Sequence, residues 1–128
     1  TRSLTIQGDE QHLRWALGHL LQNSTGYTPA GGRVIVRARV DSDDPNLMNI
    51  EFHDTGVGIA EKDLPHIFER FYRGDPRDEN GRLVDPRGLG QGLFIARTIA
   101  EAHGGYLRVD TEVGQGTTFT LSLPRNLN

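Results

Sequence analysis

Three separated groups of residues have the types and spacing to do chemistry. The first is Asp54-Thr55-Gly56-Val57-Gly58-Ile59, a carboxylate followed by two glycines that let another group come close to the backbone. Counting in twos from Met48, Ile50 and Phe52 places Asp54 on the apolar side of its strand, aimed at the core. An ion buried there needs a donor partner, because leaving it unpaired is strongly unfavourable. The amino group of a base such as adenine meets that need, and an Asx-turn onto the following residues is the purely structural alternative. The second group is Gly88-Leu89-Gly90-Gln91-Gly92-Leu93, where bare backbone N–H groups and a helix start can face a phosphate. A glycine hinge without a ligand is the alternative for this group. No strand leads directly into these glycines, and no Gly-Lys-Ser/Thr follows them, so neither a dinucleotide fingerprint nor a Walker A loop is present. The third group is a stripe on the first helix, His12, His19 and Asn23, lying beside the apolar stripe. The oxygen of Asn23 is a hard neutral ligand that suits Mg²⁺, and a plain surface asparagine is the alternative.

The elements that must position these groups follow from periodicity. Asp9 is placed as the N-cap of a helix running to about Ser24, with Leu13, Ala16, Leu17, Leu20 and Leu21 as its apolar stripe. Thr28 to Gly32 breaks it, and a strand over 33–40 carries Val34, Val36, Ala38 and Val40 on one face. A second strand ends at Asp54, and a short helical stretch runs through Leu64, Ile67, Phe68 and Phe71. The segment 73–91 is dense in charge, glycine and proline, which predicts a mobile loop. A helix from about Gly92 to His103, closed by Gly104-Gly105, is followed by a hairpin of 106–110 and 117–123. The pattern predicts an α/β two-layer sandwich: a mixed, mostly antiparallel sheet of about five strands with about three helices on one face. Trp15 falls nearly opposite the inward stripe and is expected to be exposed, as a partner surface or as an ordinary surface aromatic.

Bulk properties exclude other classes. The 128 residues fit one domain, 1–128, and 35% hydrophobic content supports one core. With 14 Lys+Arg against 17 Asp+Glu, the net charge of −3 offers no global attraction to nucleic acid or an anionic membrane. The absence of cysteine rules out disulfides, a thiolate nucleophile and a cysteine zinc site. No apolar run reaches the length of a membrane span, and the start Thr1-Arg2-Ser3 is not a signal peptide, so a cytoplasmic location is expected, as part of a parent that can itself be membrane-bound.

Taken in order along the chain, these groups resemble the catalytic and ATP-binding domain of sensor histidine kinases, a member of the GHKL superfamily with the Bergerat fold. His19 to Pro29 is similar to the N box, Asp54 to Gly58 to the first glycine box, Ile67 to Arg73 to the F box, Gly88 to Leu93 to the second glycine box, and Gly114 to Phe119 to the closing Gly-x-Gly-Thr-x-Phe segment. The resemblance implies a protein-histidine kinase that binds ATP and Mg²⁺, with Asn23 as the catalytic Mg²⁺ ligand and Asp54 on the adenine amine. It further implies that Tyr27 lines the base, and that Gly56, Gly58, Ile59, Leu89, Gln91, Leu93 and Thr117, with Gly88, Gly90 and Gly92, border the nucleotide. Phe68 and Phe71 would anchor an ATP lid at 73–91, with Arg70 and Arg73 as candidate phosphate contacts.

The implied partners are the kinase's own dimerisation and histidine-phosphotransfer domain and a response regulator, in a homodimeric parent. No nucleic acid and no direct membrane contact are implied. None of His12, His19, His53, His66 and His103 lies in the helical His-acid context of a phosphoacceptor, so the acceptor is expected on a separate domain. Three departures stand out. His19 occupies a position that is commonly Asn, Gly26 one that is usually Lys or Arg, and Ser24 one that is customarily a small apolar residue. A catalytically degenerate regulatory domain and an anti-sigma-factor serine kinase of the same superfamily are the alternatives. The remaining histidines are expected at the surface or at caps.

Overall fold

The computed structural model describes residues 8–26, 28, 31–69 and 89–125, of which 25, 26 and 89–92 are described as backbone only. The elements are α1 (Glu10–Gly26), β1 (Val34–Val40), β2 (Leu47–Asp54), a 3-10 turn (Leu64–His66), α2 (Leu89–Ala102), β3 (Tyr106–Glu112) and β4 (Gly116–Pro124). Asp9 caps α1 as expected, its Oδ1 accepting the His12 N–H at 3.1 Å. The first turn of α2 takes in Gly90 and Gly92, so this helix starts three residues before the position that periodicity marks.

The four strands form one sheet in the order β1-β2-β4-β3. Every pairing is antiparallel, so the sheet is not mixed among the described residues. The fifth strand expected at the start of the chain lies outside those residues. So do Phe71 and most of 73–91.

Register sorts the two faces. Val36 pairs with Phe52, Phe52 with Phe119, and Phe119 with Val109, so these residues share the helix side. On that side Leu13, Ala16 and Leu20 of α1 and Leu93, Ala96, Ile99 and Ala100 of α2 pack with Phe52, Phe119, Leu121 and Leu123 into one core. Among the described residues the helices sit over β2, β4 and β3, which leaves β1, at the end of the strand order, uncovered. Val36 is therefore 51% exposed although it faces the helix side.

Two side chains on the helices depart from the pattern. Leu21 is exposed rather than inward, because α1 turns its 13-16-20-24 line towards the core. Trp15 is half-buried rather than exposed: it packs against the core, and its ring stacks on His19 with centroids 3.6 Å apart. His103 behaves as a cap. Its Nδ1 donates to the Ile99 carbonyl at 2.8 Å and its Nε2 accepts the Asp9 N–H at 3.0 Å, tying the start of α1 to the end of α2. Among the described residues no helix is long and apolar enough to cross a membrane.

Candidate functional site

Asp54 closes β2 between two neighbours, opposite Val34 on β1 and Thr117 on β4. Its side chain is fully buried at 0% exposure, as the period-two count requires. One oxygen, Oδ1, accepts the Gly56 N–H at 2.9 Å, so the Asx-turn does form. The other, Oδ2, has no partner among the described residues. Burial is the largest influence on this carboxyl and pushes its pKa upward, against the Gly56 and Thr117 backbone N–H groups and His53, which favour the anion. The turn and the donor-seeking role therefore coexist, since one oxygen serves the turn and the other remains available to a ligand.

The segment after Asp54 is clamped by the β3–β4 hairpin. The Ile59 N–H donates to Thr111 Oγ1 at 2.9 Å, and the Gly114 N–H donates to the Val57 carbonyl at 2.9 Å. Thr111 Oγ1 in turn contacts the Gly116 carbonyl at 3.2 Å and Thr117 Oγ1 at 2.8 Å. Two glycines are required by this packing. Gly58 has φ +77°, and a Cβ there would lie 2.5 Å from the Glu112 carbonyl oxygen; Gly116 has φ +133°, and its Cβ would lie 2.0 Å from the Asp54 carbonyl oxygen. The glycine at 58 thus makes room for the hairpin, an intramolecular reason that a search for ligand contacts alone does not supply. Of the residues that hold Asp54 and its turn in place, Gly116 belongs to the closing Gly-x-Gly-Thr-x-Phe segment, whereas Thr111 has no marked signal in sequence beyond the hairpin that carries it.

Asn23 lies in the penultimate turn of α1, 4% exposed and so deeper than the rim position that its stripe predicts. Neither its Oδ1 nor its Nδ2 has a partner among the described residues. A buried amide left unpaired costs about 1–3 kcal/mol, so an oxygen-seeking cation or another polar group is called for at this point. Ser24, the next residue, is 0% exposed and its hydroxyl is likewise unpaired. Asn23, Ser24 and Asp54 carry all but one of the unpartnered buried side-chain polar atoms among the described residues.

The other predicted site residues divide clearly. Ile59, Leu93 and Thr117 are buried beside the clamped segment and at the start of α2. Gly56 supplies the N–H to Asp54. Leu89, Gly90, Gln91 and Gly92 form the opening turn of α2, so their N–H groups belong to a helix N-terminus. Phe68 is half-buried against the core with the Arg97 guanidinium 5.4 Å from its ring centre. Tyr27, Arg70, Phe71, Arg73 and Gly88 fall outside the described residues. His19 is held against Trp15, and burial keeps its pKa below the usual histidine value, favouring a neutral ring.

A buried carboxylate with one free oxygen, a buried unpaired asparagine and a glycine-led helix N-terminus, on an antiparallel sheet with helices on one side, define an ATPase domain of the Bergerat type. Residues 8–127 match the family described as histidine kinase-, DNA gyrase B- and HSP90-like ATPase, and the chain belongs to that family. Within it, the chain is a histidine kinase ATPase domain of the sensor-kinase kind. It is 36% identical over 123 residues to the sensor histidine kinase WalK of Bacillus subtilis, an alignment that takes in 96% of this chain and 19% of WalK. The mycobacterial sensor histidine kinase MprB superposes with a TM-score of 0.79 at 32% identity, covering 94% of this chain and 77% of that one. The full-length ShkA structure, in complex with AMPPNP, superposes with a TM-score of 0.73 at 31% identity, covering 96% of this chain and 23% of ShkA. The chain thus spans about a fifth of the length of WalK.

Proposed function

We propose that this chain is the Mg–ATP-binding catalytic domain of a two-component sensor histidine kinase, donating the γ-phosphate to a histidine on a separate dimerisation domain. The observation that carries the reading is the pairing of an orphaned carboxylate oxygen at Asp54 with an orphaned amide at Asn23, two groups whose missing partners are a donor and a cation. Asp54 Oδ2 would accept the adenine amine while Oδ1 stays on the Gly56 N–H, so the carboxylate would need no rearrangement to bind. Asn23 Oδ1 would hold Mg²⁺, and the amide's burial fits a single neutral ligand supplementing phosphate oxygens and water. Bound there, the ion would offset negative charge on the phosphates during transfer.

The remaining residues shape the pocket. Ile59, Leu93 and Thr117 form the buried wall, and Gly56 and Gly58 keep the turn against the hairpin. Tyr27 would line the base, and the N–H groups of Leu89, Gly90, Gln91 and Gly92 in the opening turn of α2, after Gly88, would face the phosphates. On this reading Phe68 and Phe71 would anchor the lid at 73–91, with Arg70 and Arg73 as candidate phosphate contacts. The ligand reading is supported by the AMPPNP complex of ShkA. A response regulator and the kinase's own dimerisation domain are the partners.

Mixing this domain, [γ-³²P]ATP and Mg²⁺ with the dimerisation domain of its own parent tests the reading. Label should appear on the dimerisation domain as an acid-labile phosphate, and should be absent with Asn23→Ala. Label appearing instead as an acid-stable phosphoserine on a different protein favours the anti-sigma-factor alternative, and no transfer despite nucleotide binding favours the degenerate one.

A further inference from the structure

Metal and adenine amine would account for Asn23 Oδ1 and Asp54 Oδ2, which leaves two donors, Asn23 Nδ2 and the Ser24 hydroxyl, without a partner among the described residues. Ser24 continues the line Leu13, Ala16, Leu20 that faces the core, yet it ends that line with a hydroxyl. A serine within a helix ordinarily satisfies its hydroxyl on the carbonyl four residues back. Thr98 of α2 does so, donating to the Phe94 carbonyl at 2.9 Å. Ser24 does not: its Oγ is wholly buried without a partner among the described residues, while its own carbonyl accepts from Thr28 Oγ1 at 2.7 Å. Burying an unmade hydrogen bond is costly, so the hydroxyl calls for a polar partner beside Asn23.

We propose that Ser24 is a specificity-determining residue for the nucleotide, its hydroxyl donating a hydrogen bond to a ring nitrogen of the base adjacent to the amine that Asp54 accepts. This rests on the Mg–ATP reading above. A purine amine is flanked by ring nitrogens that only accept, so completing that edge takes a donor and not a second carboxylate. Thr117 is the obvious hydroxyl, but its hydrogen is committed. Thr111 Oγ1 reaches the Gly116 carbonyl, which can only accept, so Thr111 donates there and Thr117 must donate to Thr111 across their 2.8 Å contact. The Gly56 N–H is held by Asp54, and the Ile59 N–H by Thr111. The Asn23 amide is assigned to the metal on the reading above, so among the described donors Ser24 is the hydroxyl left for the base.

The experiment is a titration of wild type and Ser24→Ala with ATP, 1-deaza-ATP and 7-deaza-ATP, all with Mg²⁺, alongside thermal unfolding without nucleotide. Loss of one neutral hydrogen bond is expected to weaken ATP binding about three- to tenfold. For the analogue lacking the contacted nitrogen, wild type and variant should bind alike. The variant's Tm should be no lower than wild type, since an unpaired buried hydroxyl is removed. Equal factors for ATP and both analogues, an unchanged ATP affinity, or a lowered Tm overturns the role of Ser24 while leaving the Mg–ATP reading intact. No ATP binding by wild type overturns the Mg–ATP reading itself.

Discussion

Replacing Asp54 by Asn separates the needs of the fold from those of the ligand. The amide keeps an oxygen for the Gly56 N–H, so the turn survives. At the Oδ2 position it presents an NH₂ group, which cannot accept from an amine. One charge-assisted hydrogen bond is lost, about 1.5–3 kcal/mol, or roughly a 10- to 150-fold loss of ATP affinity. Stability should move the other way. Burial raises the pKa of Asp54, so the folded state holds its proton more tightly than the unfolded chain. The stabilisation from protonation is fully present below the ordinary aspartate range and is lost as pH rises through the raised value. At neutral pH the wild type therefore carries the cost of a buried ion, and Asp54→Asn should unfold at an equal or higher temperature. The same sign governs binding: wild-type affinity for ATP should fall as pH drops through that raised value, whereas the variant should stay flat. Calorimetric titration across pH 4–8, with unfolding monitored by circular dichroism, reads all three quantities. An Asp54→Asn variant that binds within twofold of wild type, or one that loses binding only by unfolding, refutes the reasoning.

Three further outcomes are expected. Asn23→Ala should reduce ATP affinity in Mg²⁺ to the level that wild type shows in EDTA, a comparison made by titration in both buffers. Gly116→Ala should cost at least about 2 kcal/mol, because a side chain at φ +133° is strained and meets the Asp54 carbonyl, and denaturant unfolding should show a lower midpoint with an unchanged slope. His103→Ala should cost about 1–2 kcal/mol by breaking the tie between Asp9 and Ile99, with ATP affinity in the folded protein unchanged.

The parts of the fold that were legible in sequence are those governed by local periodicity. The α1 stripe apart from Leu21, the Asp9 cap, the alternation that buries Asp54 and the closing hairpin all follow from residue spacing. What depended on lateral packing was not legible. The exposure of Val36 reflects where the helices stop across the sheet, and Trp15 is sheltered by the His19 ring and the core, neither of which the helical angle alone discloses. In the site, Asn23 and Asp54 were readable because a polar group at a core-facing or near-core position is itself a signal. Thr111 was not, and Gly116 was readable only as part of the closing segment, since their packing roles arise from a cross-strand contact formed when the hairpin closes on the segment after Asp54. Gly58 was readable as a glycine that lets another group approach the backbone, but its packing partner was not.

The most direct measurement is a calorimetric titration of this domain with AMPPNP and Mg²⁺. Saturable one-to-one binding that weakens in EDTA is the result predicted by a carboxylate for the amine and an asparagine for the metal. No detectable heat at millimolar ligand, with the domain folded by circular dichroism, would contradict it.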